Sequence, residues 1–331
     1  MDYGAAMVSP NRIQGYLFQI CSSSECVWKD KYTKFRHIFV IFAVEIDNNS
    51  MNSTILDKDA IPQPELWKLA LNIASDHIDV GLYPPLAREE MVWRTFPFDA
   101  ATGNQLRCIE DIIYDNPLLL SDFKKVDCII DNVPAITVPE EADAAAAAMI
   151  YDDMTVSDAP GELSADDIEL YPTGTDNARI AIVQDADIRA FLSRTFYNAT
   201  FDSSTAALCR YFAGRPDAPV STAVYAPVCG NTLTLIALRG KQLLMANSFR
   251  FEKEIDAAYY ILASMQQLGL DLTATPVYVR TSTADAPSEL QEILSRYLPS
   301  VAPIPFPTLR YRATKSTLLA PLALTIRPLC E

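Results

Sequence analysis

Two short turns fix most of what residues 221–306 can become. Gly230-Asn231 and Gly240-Lys241 each set a glycine and a polar residue between apolar segments. Such dipeptides close antiparallel hairpins, because glycine takes a positive φ without steric cost. They separate residues 221–228, 232–238 and 242–251. The middle segment alternates Thr-Leu-Thr-Leu before an apolar run, so three hairpin-linked strands are predicted. A helix follows, with Ala257, Ile261, Met265 and Leu268 on one face, Asp256 as its N-terminal cap and Gly269 as its C-terminal cap. Residues 276–281 make a fourth strand. Pro287 opens a second helix, with Leu290, Ile293, Leu294 and Tyr297 apolar, and Pro299 ends it. Residues 301–306 supply a short fifth strand.

The resulting order, β-β-β-α-β-α-β, is that of a ribonuclease H-like domain, a mixed sheet with helices on its faces. The first half reads the same way. Strands are predicted at 67–75, 78–83 and 90–96, with Asp76-His77 as the first turn. A helix follows at 104–114, with Leu106, Ile109, Ile112 and Ile113 apolar, and then a strand at 125–130. An Ala-rich helix runs from about Glu140 to Met154, an exposed acidic loop covers 152–169, and 178–184 is the fifth strand. Helices at 186–197 and 204–213 lead to Gly214, Pro216 and Pro219, which mark a link. The expected fold class is therefore α/β: two tandem ribonuclease H-like domains with mixed five-stranded sheets, at 60–215 and 216–331. Two such domains in tandem make the actin-like ATPase fold.

Residues 1–50 stand apart. They carry Lys29, Lys31, Lys34 and Arg36 and show no capped helix or hairpin. Met51-Asn52-Ser53-Thr54 then reads like an ordinary protein start. Two readings follow: an overextended frame with the native start at Met51, or an N-terminal extension with a docking strand at 38–45.

Charge narrows the partners. Across 331 residues, 42 acidic side chains against 27 basic ones give a net charge of −15. Such a surface repels phosphate backbones and anionic membranes, so neither nucleic acid nor a membrane is the expected partner. Arg310, Arg312 and Lys315 read as a solvated face. The seven cysteines are scattered, mostly within apolar runs. They look like reduced thiols, and Cys21 and Cys26 do not match common zinc spacings. No apolar run approaches the length of a membrane span and no signal peptide is visible, so a cytoplasmic location is expected.

Three stretches carry a resemblance. Ala246-Asn247-Ser248-Phe249 continues through Asp256, Tyr259 and Tyr260 to Gln267-Leu268-Gly269-Leu270-Asp271. Thr137-Val138-Pro139-Glu140-Glu141 follows the fourth strand, and Phe196-Tyr197-Asn198 lies in the helix after the predicted fifth. Over about residues 60–331 the chain resembles the bacterial family called domain of unknown function 3822. That resemblance implies the actin-like ATPase fold and no established activity.

Proteins of that fold cradle phosphates on the first hairpin of each domain, with an Asp and a Gly two apart and a paired glycine for the adenosine. Backbone amides can approach a phosphate that closely only beside glycine. The ten glycines here never come closer than Gly230 and Gly240, so G-x-G, Gly-Gly and P-loop motifs are absent. Asp76 is present on the first hairpin without its glycine, and Gly230 on the second without an acid before it. Asp76, His77, Gly230 and Asn231 are the candidate cleft-lining residues; Asp76 and His77 also read simply as turn residues. Asp79, Glu110 and Asp131 are the carboxylates a two-metal nuclease would need, but an acidic protein hosts nucleic acid poorly. His37 and His77 are the only histidines, so a histidine metal site or a hydrolase base has little to draw on. No catalytic residue, metal ligand or cofactor is assigned. The sequence fits a degenerate actin-like binding or scaffold module for a protein or peptide, held in the interdomain cleft or on a sheet edge. The peptide reading is a fold-level analogy with actin-like proteins of bacterial assembly machines. The alternatives are a nucleotide-binding protein or slow ATPase and, third, a ribonuclease H-like nuclease.

Overall fold

The computed structural model describes residues 61–86, 90–99, 104–131, 134–154, 163–215, 221–280, 288–305, 312 and 319–329. The predictions for residues 1–50, Pro287, Arg310 and Lys315 lie outside them. The chain divides into two compact units, residues 1–55 with 152–160 and residues 56–151 with 161–331. The second holds the sheets that follow.

The first sheet is built from β1 (Lys68–Ile73), β2 (His77–Tyr83), β3 (Val92–Pro97), β4 (Lys125–Ile130) and β8 (Ala199–Ser203), in the order β3-β2-β1-β4-β8. β1 runs antiparallel to β2 and parallel to β4. β3 extends the antiparallel side and β8 the parallel side. In the second sheet, β9 (Thr222–Ala226), β11 (Thr232–Arg239), β12 (Gln242–Arg250), β13 (Val277–Val279) and β14 (Val301–Pro303) repeat these relations in the order β12-β11-β9-β13-β14. A two-residue strand, β10 (Val228–Cys229), adds a sixth member beside β11.

One strand is misassigned by the sequence reading. The segment predicted as the first half's fifth strand forms β7 (Ala178–Val183), which leaves the main sheet. It pairs with β5 (Ile136–Pro139) and β6 (Ile168–Pro172) in a separate antiparallel sheet. The fifth position belongs to β8, hidden between two helices and too short and polar to show a period. β5 was likewise unforeseen, and β6 cuts into the predicted acidic loop because Ile168 and Tyr171 are buried.

The helices are α1 (Gln105–Asp115), α2 (Ala144–Met154), α3 (Ala186–Thr195), α4 (Ser204–Ala213), α5 (Glu254–Gln267), α6 (Glu289–Leu294) and α7 (Leu322–Ile326). Asp256 is not the N-cap of α5. It sits one turn inside, and its carboxylate accepts from the Lys253 amide at 3.0 Å. Gly269 does end the helix, at φ +63°, with Leu270 N–H bonded to the Met265 carbonyl at 2.9 Å. α3 stops at Thr195, so Phe196-Tyr197-Asn198 is the loop into β8; the Asn198 amide donates to the carbonyls of Phe123 and Lys124.

α4 is buried along most of its length and carries the apolar core from one sheet to the other. Phe212 stacks on Tyr225 of β9 at 4.1 Å, and Tyr225 on Tyr278 of β13 at 5.2 Å. Three rings of this size supply a large apolar contact in the middle of the molecule. The small sheet docks on β12 through side chains that copy a strand partner. Thr137 Oγ1 donates to the Ala246 carbonyl at 2.8 Å and accepts from its amide at 2.9 Å. Asn177 does the same for Leu243, at 2.8 and 3.1 Å. Exposed strand edges invite foreign strands, and these bonds satisfy that of β12.

The C-terminal segment covers one face of the first sheet. Residues two apart on a strand share a face, so Ala70, Asn72, Asp79, Gly81, Tyr83, Asp127 and Asp202 line it together. Gly81 lets α7 come close: a Cβ there would lie 3.4 Å from Leu324 Cδ2 and 3.1 Å from Tyr83 Oη. Tyr83 Oη donates to the Leu324 carbonyl at 2.7 Å. Beyond α7, buried Arg327 reaches Asp127 at 2.9 Å and Asp202 at 2.5 Å; Asp202 also pairs with Arg210 of α4, and Asp127 with Lys125 at 3.1 Å. Burial raises the cost of charging Asp127, but the hydrogen bond and charge of Arg327, with Thr200 and Lys125, hold its carboxyl below the usual range. Among the described residues no helix is long and apolar enough to cross a membrane.

Candidate functional site

The first hairpin brings charge to the end of the first sheet. Ala74 N–H bonds the His77 carbonyl at 3.0 Å, which closes the turn through Ser75 and Asp76. From there β2 alternates: Ile78, Val80 and Leu82 enter the core, while His77 and Asp79 take the other face. Asp79 is only 1% exposed. A buried carboxylate needs donors, and it has them: Asn72 Nδ2 at 3.1 Å and Thr95 Oγ1 at 2.6 Å. His77 Nδ1 faces Asp76 Oδ1 at 2.6 Å, and His77 Nε2 lies 3.4 Å from Asp79 Oδ2.

The second sheet supplies the opposite wall. Pro227 breaks the strand after β9, and β10 carries Cys229 to the hairpin tip. Gly230 then turns the chain at φ +53°, a conformation that L side chains rarely adopt. The ligating atoms of His77, Asp79 and Cys229 all lie within 4.8 Å of one another. The hydrogen bond with Asp79, that with Cys229 and the nearby carboxylates push the His77 pKa up to about 11 despite burial. Burial and the Asp79 charge push Asp131, just beyond β4, up to about 6. Burial also raises the Cys229 thiol, with Asp131 and Asp79 adding to it and the His77 hydrogen bond opposing.

Two cavities adjoin the cluster and share Asp76, His77, Cys229 and Gly230 as common wall. One, of about 550 Å³, is lined by Trp93, Val228, Leu290, Leu319 and Pro321, with Glu254 and Arg280 among its polar groups. The other, of about 710 Å³, is polar, with Asn231, Arg250, Asp131 and Asp256 on its walls. Arg250 of β12 bonds Ser75 of the first hairpin, so the two sheets are joined directly across the cleft.

The structure therefore gathers Asp76, His77, Gly230 and Asn231 around one cleft. It brings Asp79 and Asp131 near each other, but Glu110, on α1, lines neither cavity. Sequence reasoning missed Cys229, Asn72, Thr95 and Trp93. Only one local signal was available, the place of Cys229 beside Gly230 at the second hairpin. The resemblance stretches also acquire a physical reason: Thr137 bonds Ala246, and Phe249 stacks on Tyr260 at 4.8 Å. Tyr259 and Tyr260 are both half-buried.

The family model described as "Protein of unknown function (DUF3822)" matches residues 57–301. A solved protein of Bacteroides thetaiotaomicron VPI-5482, with an actin-like ATPase fold and unknown function, is 19% identical. The match covers 73% of this chain and 92% of that one, with a TM-score of 0.61. The PilM–PilN type IV pilus biogenesis complex is 13% identical over 80% of this chain and 99% of that one, at TM-score 0.47. The ethanolamine utilization protein EutJ from Carboxydothermus hydrogenoformans is 11% identical over 80% and 90%, at TM-score 0.36. No curated protein shows a significant match. The Bacteroides structure, with the repeated sheet order, identifies the actin-like ATPase fold.

Proposed function

We propose, for a chain that belongs to the DUF3822 family of proteins of unknown function, a non-hydrolysing binding module whose cleft takes a peptide segment of a protein partner. In this reading residues 60–215 and 216–331 are its two domains and form the walls. The observation that carries it is the chemistry of the first hairpin. Ser75, Asp76 and His77 stand where a phosphate would need bare backbone amides, and the surrounding Asp79 and Asp131 add negative charge where a nucleotide would bring its own. Like charges in a desolvated cleft repel strongly. An extended peptide suits the same space. An apolar side chain fits against Trp93, Leu290 and Leu319, and a cationic one meets Asp76 and Glu254.

The test is selection of displayed random peptides on the full chain, followed by binding measurements on Trp93→Glu and on the unsubstituted protein. Peptides combining basic and apolar residues are expected, with affinity lost in Trp93→Glu. Equal binding to both proteins would remove the cleft from the account. A nucleotide-binding cleft is the second reading. It is favoured by Arg250 and Arg280, cationic residues that line the two cavities.

A further inference from the structure

We infer that His77, Asp79 and Cys229 form a zinc-type metal site on the cleft wall, with two ligands from β2 and one from β10. The site stands apart from the peptide reading and does not depend on it.

The geometry comes first. The three ligating atoms lie within 4.8 Å of one another, and two of them sit on alternate residues of one strand, facing the same way. A tetrahedral zinc with bonds of about 2.0–2.3 Å holds its ligand atoms about 3.3–3.8 Å apart. The 3.4 Å between His77 Nε2 and Asp79 Oδ2 falls in that range. A small closure of Cys229 completes the triangle.

The surroundings are those of a ligand set. A metal-bound histidine usually gives its other ring nitrogen to a carboxylate, which fixes ring and tautomer. Asp76 does this at Nδ1, leaving Nε2 for the metal. Asp79 is held by Asn72 and Thr95, both fixed on neighbouring strands. Asn72 itself is fully buried, and its Oδ1 has no hydrogen-bond partner among the described residues. Asp76, Asp79 and Asp131 surround a single imidazole, an excess of negative charge that a dication neutralises. Sulfur, nitrogen and oxygen donors together suit zinc, whereas magnesium prefers oxygen alone. Binding would displace the proton from His77 Nε2 and convert the Cys229 thiol to thiolate, releasing both protons to solvent. Three protein ligands leave the fourth position open to the adjoining cavities.

The experiment uses the full chain, stripped with a chelator and titrated with cobalt(II) or zinc(II) alone. Cobalt reports sulfur ligation by its thiolate charge-transfer absorption. The expected result is one tightly bound ion with that band. The band should vanish in Cys229→Ser and persist in the double variant Cys21→Ser/Cys26→Ser. Zinc affinity should fall about tenfold or more in both Cys229→Ser and His77→Gln. If Cys229→Ser does not fold, as judged by circular dichroism, Cys229→Ala and His77→Gln carry the test. Cobalt bound without the thiolate band overturns the inference. So does a band that survives in the Cys229 and His77 variants, or one lost with Cys21 and Cys26.

Discussion

One face of the first sheet carries a buried polar cluster and, at its hairpin end, a partly exposed one, with opposite charge arithmetic. Beneath α7, Asp127 and Asp202 meet Arg327, Arg210 and Lys125, so each of the two carboxylates has two cations within the protein. At the hairpin end, Asp76, Asp79 and Asp131 meet one histidine and a thiol. In the first cluster every carboxylate has a cation, although Arg327 Nε has no hydrogen-bond partner among the described residues, and the cluster braces the C-terminal segment and α4 against the sheet. The second is not so balanced, and it lies where two cavities open. Buried charge that is balanced internally belongs to the fold, and buried charge left unbalanced beside a cavity marks a site that receives something from outside.

Substitutions sharpen that contrast. Arg327→Met should cost about 3–5 kcal/mol in chemical denaturation, because it leaves two buried carboxylates without their shared cation. His77→Gln should cost less than Arg327→Met, since Asp79 keeps Asn72 and Thr95. A His77 variant as unstable as the Arg327 variant would make the cleft a second brace and erase the distinction.

Acid acts on the two clusters differently. Asp127 is held below its unfolded pKa, so its stabilising contribution is complete above about pH 4 and is lost as pH falls through the lower, folded value. Asp127→Asn should therefore flatten the loss of stability below about pH 4. An unchanged acid limb in that variant would contradict the assignment.

Smaller effects are expected where the small sheet meets β12. Thr137→Val removes both bonds to Ala246 and leaves a buried amide and carbonyl unpaired, for a loss of about 1–2 kcal/mol. Gly230→Ala has no steric neighbour within 4 Å, only the unfavourable φ, so about 1 kcal/mol is expected. Unfolding midpoints of the two variants decide both.

The repeated sheet order was legible because hairpin turns and alternation are local. Gly230-Asn231 and Gly240-Lys241 bracket β11, and α4 came out at its observed ends. β8 was not legible, since Ala199–Ser203 owes its strand to β4 rather than to its own pattern. The site was half legible. Asp76 and His77 stand out in the first hairpin, but their meeting with Cys229 depends on two sheets facing each other, which no spacing encodes. Arg327 was invisible for the same reason: its partners, Asp127 on β4 and Asp202 on β8, are distant in the chain.

The central claim, a cleft built for something other than a nucleotide, is tested most directly by thermal unfolding of the full chain with rising Mg-ATP. The account predicts an unchanged midpoint. A saturable rise, reaching about 2.7 kcal/mol at 100 times the dissociation constant, would contradict it and return the cleft to nucleotide chemistry.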